Sequence, residues 1–170
     1  MMNSVLDEWN KADEHAARDA MLACCAAQRW AAGMVALQPI ANIGDLSEAA
    51  DRVWATMSEP DWLEAFAAHP RIGERKAVSG SEKSAAWSRH EQAGAGSASA
   101  DILRELAEGN AAYEQRFGFP YVVCATGKGA SEMLAILKHR LPGERMAELK
   151  EAAEQQRQIM QIRLGKWLLS

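Results

Sequence analysis

Two short stretches hold residues whose types and spacing suit proton chemistry on a small polar molecule. In Ser88-Arg89-His90-Glu91-Gln92, helical geometry puts positions three and four apart on one face, so Ser88, Glu91 and Gln92 project together while Arg89 points elsewhere. That face offers a hydroxyl, a carboxylate and an amide, a set that matches a ligand rich in N–H and C=O groups. The same pattern also describes an ordinary solvated helix face. His69 precedes Pro70, and a residue before proline avoids the helical region, so His69 is held at a helix end. Its side chain titrates near neutrality and can act as acid, base or charged donor. It can equally do no more than finish the helix, its charged form favoured by the C-terminal dipole. His15, His90 and His139 stand in no comparable context and read as surface residues.

Other chemistries find little to stand on. A metal site needs three or more ligands in workable geometry, yet the four histidines fall on four segments and no His-x-x-x-His or Cys-x-x-Cys spacing occurs. Gly127-Lys128-Gly129 lacks the phosphate-loop pattern, and Ser88 lacks the Gly-x-Ser-x-Gly elbow. Cys24, Cys25 and Cys124 are an odd set with two members adjacent, and bridging adjacent cysteines strains the peptide between them. They read as reduced thiols packed as small core residues. A net charge of -4 argues against a nucleic-acid surface. No stretch approaches the roughly 18 apolar residues of a membrane span, and Met1-Met2-Asn3-Ser4 has neither the basic region nor the apolar run of a signal peptide. Leu168-Leu169-Ser170 is not a Ser-Lys-Leu address, so a cytoplasmic protein is expected.

The elements that must position these residues are helical. At 170 residues, 48% hydrophobic and 25% charged, the chain is sized for one domain with a continuous core. Apolar residues recur mostly at three-and-four spacing. The spacing predicts a helix over Asn10 to Ala27 with Ala16, Ala17, Ala20, Met21 and Cys24 on one face. A second carries Trp30, Met34 and Leu37 and ends at Pro39; a third follows the cap signal Asp45-Leu46-Ser47-Glu48 and packs Ala49, Val53, Trp54 and Met57. Ser58-Glu59-Pro60-Asp61 reads as a capping box with proline in the first turn, opening a helix through Trp62, Leu63 and Phe66 that stops near His69. A polar loop to about Ser81 leads to a helix from about Ser84 to Ala93, and Gly94 to Ala100 is a flexible connection.

Ser99 caps a helix from Asp101 to about Arg116, with Ile102, Leu103, Leu106 and Tyr113 inside. Phe117-Gly118-Phe119-Pro120 breaks it. Tyr121 to Ala125 is the one strand-like run; with no partner strand, it reads as an extended segment packed among helices. A helix from about Ala130 to before Pro142-Gly143 follows. The last, Glu144 to about Leu168, carries Met146, Leu149, Ala153, Ile159, Ile162 and Leu164 on its inner side. The sum is an all-α, single-domain bundle of seven or eight helices over residues 1–170, without an internal repeat.

Taken in order, His69-Pro70-Arg71-Ile72-Gly73, Ser88-x-x-Glu91-Gln92 and Phe117-Gly118-Phe119-Pro120-Tyr121-Val122-Val123-Cys124-Ala125 resemble the 2-oxo-4-hydroxy-4-carboxy-5-ureidoimidazoline (OHCU) decarboxylase family. The Trp62 to Ala68 lead-in, the Cys24-Cys25 to Trp30 segment and the late Ile162-Arg163-Leu164 are similar too, so the likeness runs through nearly the whole chain. One such motif is weak. Three in order at this spacing outweigh the structural readings of His69 and the Ser88 face. Two departures are Gln38-Pro39-Ile40, where the family pattern has Arg-Pro-Phe, and Thr126-Gly127-Lys128-Gly129 after the extended segment.

The resemblance implies an all-helical homodimer without metal or organic cofactor that converts OHCU, a small-molecule substrate, to (S)-allantoin in urate breakdown. It implies His69 as the catalytic histidine, with Pro70 touching the substrate beside it. Ser88, Glu91 and Gln92 match the face that holds the ureido and ring groups, and Arg89 and His90 are counted in the same substrate-binding stretch. Tyr121, Val122, Val123, Cys124 and Ala125 match an extended segment whose backbone binds the flat substrate, and Arg163 matches the pocket arginine. Glu91 is a second candidate for chemistry: it can hold a ureido N–H, orient His69 or be the acid itself. No nucleic acid or membrane partner is expected. Two other readings stand beside this one. One is a metal-dependent hydrolase using His69, Glu91 and one of His15, His90 or His139; the other is a non-enzymatic helical interaction module.

Overall fold

The computed structural model of the protein describes residues 3–73, 82–94 and 98–170. The all-α expectation holds: nine α-helices and no strand are present among the described residues, slightly more helices than the spacing predicts. The surplus arises near the N-terminal end. Asn3 and Asp13 are both N-caps, their side chains accepting the N–H groups of Leu6 and Ala16. The region around Asn10 to Ala27 therefore holds the end of α1 (Ser4–Lys11) and the whole of α2 (Glu14–Cys24) instead of one helix, because the Asp13 carboxylate competes with helix continuation. The chain packs as two compact units, one running to Ala65 and rejoined by Arg157–Ser170, the other Phe66–Gln156.

In the first unit, α1 and α2 are followed by α3 (Gln28–Val35), α4 (Ile43–Trp54), the start of α5 (Glu59–Ala67) and the end of α9 (Arg145–Trp167). Trp9, Met21, Trp30, Met34, Leu46 and Trp54 are buried. A buried indole needs a partner for its N–H; Trp9 donates to the Ala17 carbonyl at 2.9 Å and Trp30 to the Ala50 carbonyl at 3.1 Å. α4 begins earlier than the Asp45-Leu46-Ser47-Glu48 signal suggests, since Asn42 accepts the Asp45 N–H and takes the cap. Leu37 lies beyond the end of α3 and is exposed, not part of the inner face. The Asp61 half of the Ser58 box is present: Asp61 accepts the Ser58 N–H at 3.0 Å and its hydroxyl at 3.1 Å, and pairs with Arg29 at 2.8 Å. Burial opposes ionisation of Asp61, but these donors win and hold its pKa below the ordinary carboxylate value.

The second unit holds the end of α5, α6 (Glu82–Glu91), α7 (Ala100–Phe117), α8 (Ala130–Arg140) and the first part of α9. Ser99 caps α7 through the Ile102 N–H, and Gly118, at φ +81°, ends it in the left-handed conformation that glycine adopts without strain. The chain's three phenylalanines and two tyrosines all gather here. Tyr113 stands 4.6 Å from Phe117, 5.8 Å from Phe119 and 5.6 Å from Tyr121 between ring centroids, and Phe66 lies 5.8 Å from Phe119. This cluster anchors both ends of the helix break at residues 117–121. Met146, expected on the inner side of α9, is exposed in the first turn, and the buried stripe starts at Glu148 and Leu149. The polar loop up to Ser81 lies largely outside the described residues, as does part of the Gly94 to Ala100 connection.

Candidate active site

After α5 the chain turns through His69-Pro70-Arg71-Ile72-Gly73, and four side chains pin that turn. His69 Nε2 lies 2.6 Å from Oε1 of Gln156 on α9. Arg71 pairs with Glu114 of α7: Nη2 donates to Oε2 at 2.8 Å, a charge-assisted bond, and Nε lies 2.6 Å from Oε1. Asn110, one helical turn before Glu114, donates to the Ile72 carbonyl at 3.1 Å. The Gly73 N–H donates to Gln92 Oε1 at 3.0 Å, with Gly73 at φ +91°. The last contact joins the histidine turn to the end of α6, so two stretches far apart in sequence meet through Gln92.

On α6, Ser88 and Glu91 are buried and Gln92 is half-buried, whereas Arg89 and His90 are exposed. This is the separation that helical spacing predicts. Ser84, one turn before Ser88, is buried on the same face. Arg89 and His90, counted as substrate-binding on the resemblance, sit on the exposed side with His15 and His139 equally exposed on α2 and α8. Among the described residues no three His, Cys, Asp or Glu side chains gather as a metal-ligand group.

Tyr121, Val122, Val123, Cys124 and Ala125 are all buried, without a strand beside them. Buried backbone groups must find partners, and here side chains supply several. Arg140 Nη1 donates to the Val122 carbonyl at 2.7 Å. The Cys124 N–H donates to Gln155 Oε1 at 2.8 Å, and the Cys124 carbonyl accepts from Lys128 Nζ at 2.8 Å. The Lys128 N–H closes a turn on the Ala125 carbonyl at 3.0 Å. The Thr126-Gly127-Lys128-Gly129 departure thus has a job, clasping the end of the extended segment. Gly94, just after α6, lies so close to this clasp that a Cβ there would sit 2.7 Å from the Lys128 carbonyl oxygen. Burial and the Glu148 carboxylate keep the Tyr113 phenol protonated, its pKa pushed well above the ordinary value, so it remains a donor.

A cavity of about 270 Å³ opens beside His69, lined by Ala67, Arg71, Glu114 and Gly118 to Pro120 as well. Among the described residues, Ser88, Glu91, Gln92 and the 121–125 segment do not line it. Arg163 belongs to the first unit, where it is buried on α9 and its charge acts on the Cys25 thiol. Burial nonetheless pushes the Cys25 pKa far upward, so that thiol stays protonated; all three cysteines are buried and in no disulfide, as read from the sequence.

Arg71, Asn110, Glu114, Lys128, Arg140, Gln155 and Gln156 escaped the sequence reading. Three of them leave a trace there: Asn110, Arg140 and Gln156 are polar residues at stripe positions of apolar helix faces, with Leu106 and Tyr113, with Met133 and Leu137, and with Ala152 and Ala153 respectively. A polar group at such a position costs stability unless it is bonded, which marks it as holding something.

The family model described as OHCU decarboxylase matches residues 10–165. The uric acid degradation bifunctional protein TTL of Arabidopsis thaliana is 37% identical over 144 residues, 84% of this chain and 44% of that protein. This chain therefore spans less than half the length of that relative. The 2-oxo-4-hydroxy-4-carboxy-5-ureidoimidazoline decarboxylase of Haloferax volcanii is 24% identical over 169 residues, covering 98% of this chain and 97% of that one. A crystal structure of an OHCU decarboxylase in the presence of (S)-allantoin superposes with a TM-score of 0.77 at 32% identity, covering 89% of this chain and 99% of that chain.

Proposed function

We propose that this chain, which belongs to the OHCU decarboxylase family, decarboxylates OHCU to (S)-allantoin in urate degradation, with His69 as the catalytic histidine and no metal or organic cofactor. The observation that carries the reading is the His69 turn, tied by Gln156, Glu114, Asn110 and Gln92 to three helices beside a cavity that Arg71 and Glu114 help to line. A histidine merely finishing a helix needs no such support. The family match over residues 10–165 also supports reading 1–170 as one OHCU decarboxylase domain. On the resemblance we read the protein as a cytoplasmic homodimer.

The substrate's carboxylate sits on a ring carbon next to an imine or carbonyl. When carbon dioxide leaves, the electron pair spreads into the ring, so no pyridoxal or thiamine is needed as a sink. What remains for the protein is to orient the carboxylate, stabilise developing charge and deliver one proton to one face. We assign the carboxylate and the proton to His69, beside Pro70. Glu91, a buried carboxylate on α6, takes a ureido N–H or shares the proton work, and Ser88 and Gln92 complete the polar face. Residues Tyr121, Val122, Val123, Cys124 and Ala125 offer backbone to the flat ring. Arg163 is carried as the family's arginine for a developing oxyanion on the resemblance alone. Arg89 and His90, both exposed, stay outside the chemistry.

The test generates OHCU in place from urate, using urate oxidase and the hydrolase that follows it, with EDTA present. Circular dichroism at allantoin's absorption should show one enantiomer accumulating with the parent chain and none above background with His69→Asn. Turnover by His69→Asn within about threefold of the parent, under roughly 1 kcal/mol of transition-state stabilisation, refutes the assignment. Loss of activity in EDTA with recovery on added zinc would hand the reaction to a metal.

A further inference from the structure

We propose that Gln156 is a positioning residue for His69, fixing the imidazole in the Nε2–H tautomer so that Nδ1 is the nitrogen that passes a proton to the substrate; this rests on the reading of His69 as the catalytic histidine. Gln156 is 1% exposed and shares its stretch of α9 with Leu149, Ala152 and Ala153, all buried. An amide in such a place costs stability unless it is bonded. Its bond is to His69, with 2.6 Å between Oε1 and Nε2. An amide carbonyl oxygen only accepts, so the contact is a hydrogen bond when Nε2 carries hydrogen.

Neutral His69 then has its lone pair on Nδ1. The imidazolium keeps the Nε2–H bond to Gln156 and holds its second proton on Nδ1, so the proton that titrates is the Nδ1 proton. In the reaction the bond from the ring carbon to the carboxylate breaks, carbon dioxide leaves and the electron pair stays on the ring. The Nδ1–H bond breaks as that proton forms the new C–H bond, and neutral Nε2–H imidazole remains on Gln156. Solvent water returns a proton to Nδ1 for the next turnover. Among the described residues, the charged groups lining the cavity beside His69 are Arg71 and Glu114, which pair with each other. Gln156 is neutral and holds the ring in both charge states without titrating itself. The opposite amide orientation would present N–H to Nε2 and select the other tautomer.

Nitrogen-15 NMR of histidine-labelled protein distinguishes the two, with the His69→Asn spectrum assigning one signal among the four histidines. The expected result is a protonated Nε2 and a titrating Nδ1; a neutral form with the proton on Nδ1 overturns the proposal. Gln156→Leu should lower kcat about tenfold or more while KM changes less than about threefold. Gln156→Glu keeps an acceptor, so it should recover part of kcat and move the His69 limb of the pH profile upward, because a carboxylate favours the imidazolium. An unchanged kcat in folded Gln156→Leu overturns the proposal. Turnover by His69→Asn would instead sink the reading of His69 as catalytic, and the tautomer measurement, made without substrate, keeps the two failures apart.

Discussion

Replacing Glu148 by alanine removes one carboxylate from a buried cluster, and its cost can be worked from the contacts. Glu148 is 6% exposed and Arg140 7%. Glu148 Oε1 accepts from Arg140 Nε at 2.7 Å and from the Tyr113 hydroxyl at 2.6 Å. The other guanidinium nitrogens donate to the Val122 carbonyl at 2.7 Å and to the Tyr113 oxygen at 3.3 Å. Arginine cannot shed its proton in a protein, so Glu148→Ala strands a buried cation, worth about 3–5 kcal/mol, and leaves a phenol without its acceptor, worth about 1 kcal/mol. The two losses share one network and do not simply add. A total near 4 kcal/mol is a large part of the ~5–15 kcal/mol that holds a typical domain folded.

At ~1–3 kcal/mol per molar urea, that loss lowers the urea midpoint by roughly 1–4 M. Because the chain packs as two units, two optical probes are needed. Five of the six tryptophans (Trp9, Trp30, Trp54, Trp62 and Trp167) belong to the first unit, whereas Tyr113 and Tyr121, the only tyrosines, belong to the second. The drop should register in tyrosine absorbance. Arg140→Met with Glu148→Leu, which removes the charges together, should regain most of the lost stability. Activity should be low in that double variant, since the Val122 carbonyl in the extended segment loses Arg140, its donor. A loss under about 1 kcal/mol in Glu148→Ala, or a double variant no more stable than the single one, would refute the buried-charge reasoning.

Three further outcomes follow from other contacts. Asp61 has its folded pKa depressed, so its contribution is present above the unfolded value, about 3.9, and is lost as pH falls through the folded one. Asp61→Asn should therefore be less stable near neutrality but lose less on acidification, and parallel melting curves from pH 6 to pH 2 would contradict this. Gly94→Ala should destabilise by about 1–3 kcal/mol in thermal melts, because the added methyl meets the Lys128 backbone and not a yielding side chain; an unchanged midpoint would mean that α6 and the Lys128 turn part easily. Glu91→Ala should reduce kcat/KM about 100-fold and Arg89→Ala less than about threefold, given that only Glu91 is buried. Equal, mild effects in steady-state assays would place the chemistry away from α6.

What the chain discloses of its own fold depends on how local each signal is. The starts of α5 and α7 were legible because Ser58-Glu59-Pro60-Asp61 and Ser99 sit within a few residues of what they cap. α4 was misplaced because two cap signals stand three residues apart, and the bond from the Asp45 N–H to Asn42 decides between them. Periodicity sets the phase of a face but not what covers it, which is why Leu37 and Met146 read as inner and are exposed. The grouping of Ser88, Glu91 and Gln92 was legible for the same reason that α6 was: it is helix geometry. That Tyr121 to Ala125 is extended without a ladder was legible too. Its supports, Arg140 and Gln155, lie 18 and 31 residues from the groups they bond, and spacing carries no information at that range.

Three of the long-range supports share a chemical character. Gln92 holds Gly73, Gln155 holds Cys124 and Gln156 holds His69, each through a neutral side-chain amide. Near them stand two buried or half-buried ion pairs, Arg71 with Glu114 and Arg140 with Glu148. Carboxylates in the amide positions would make stronger bonds, yet each would add a charge that shifts the protonation of its neighbours. At position 156 the consequence is direct. A carboxylate would bind the imidazolium of His69 far more tightly than the imidazole, and so oppose the transfer of its proton to carbon. An amide bonds both forms at the same nitrogen, which holds the ring in place while leaving the proton free to go.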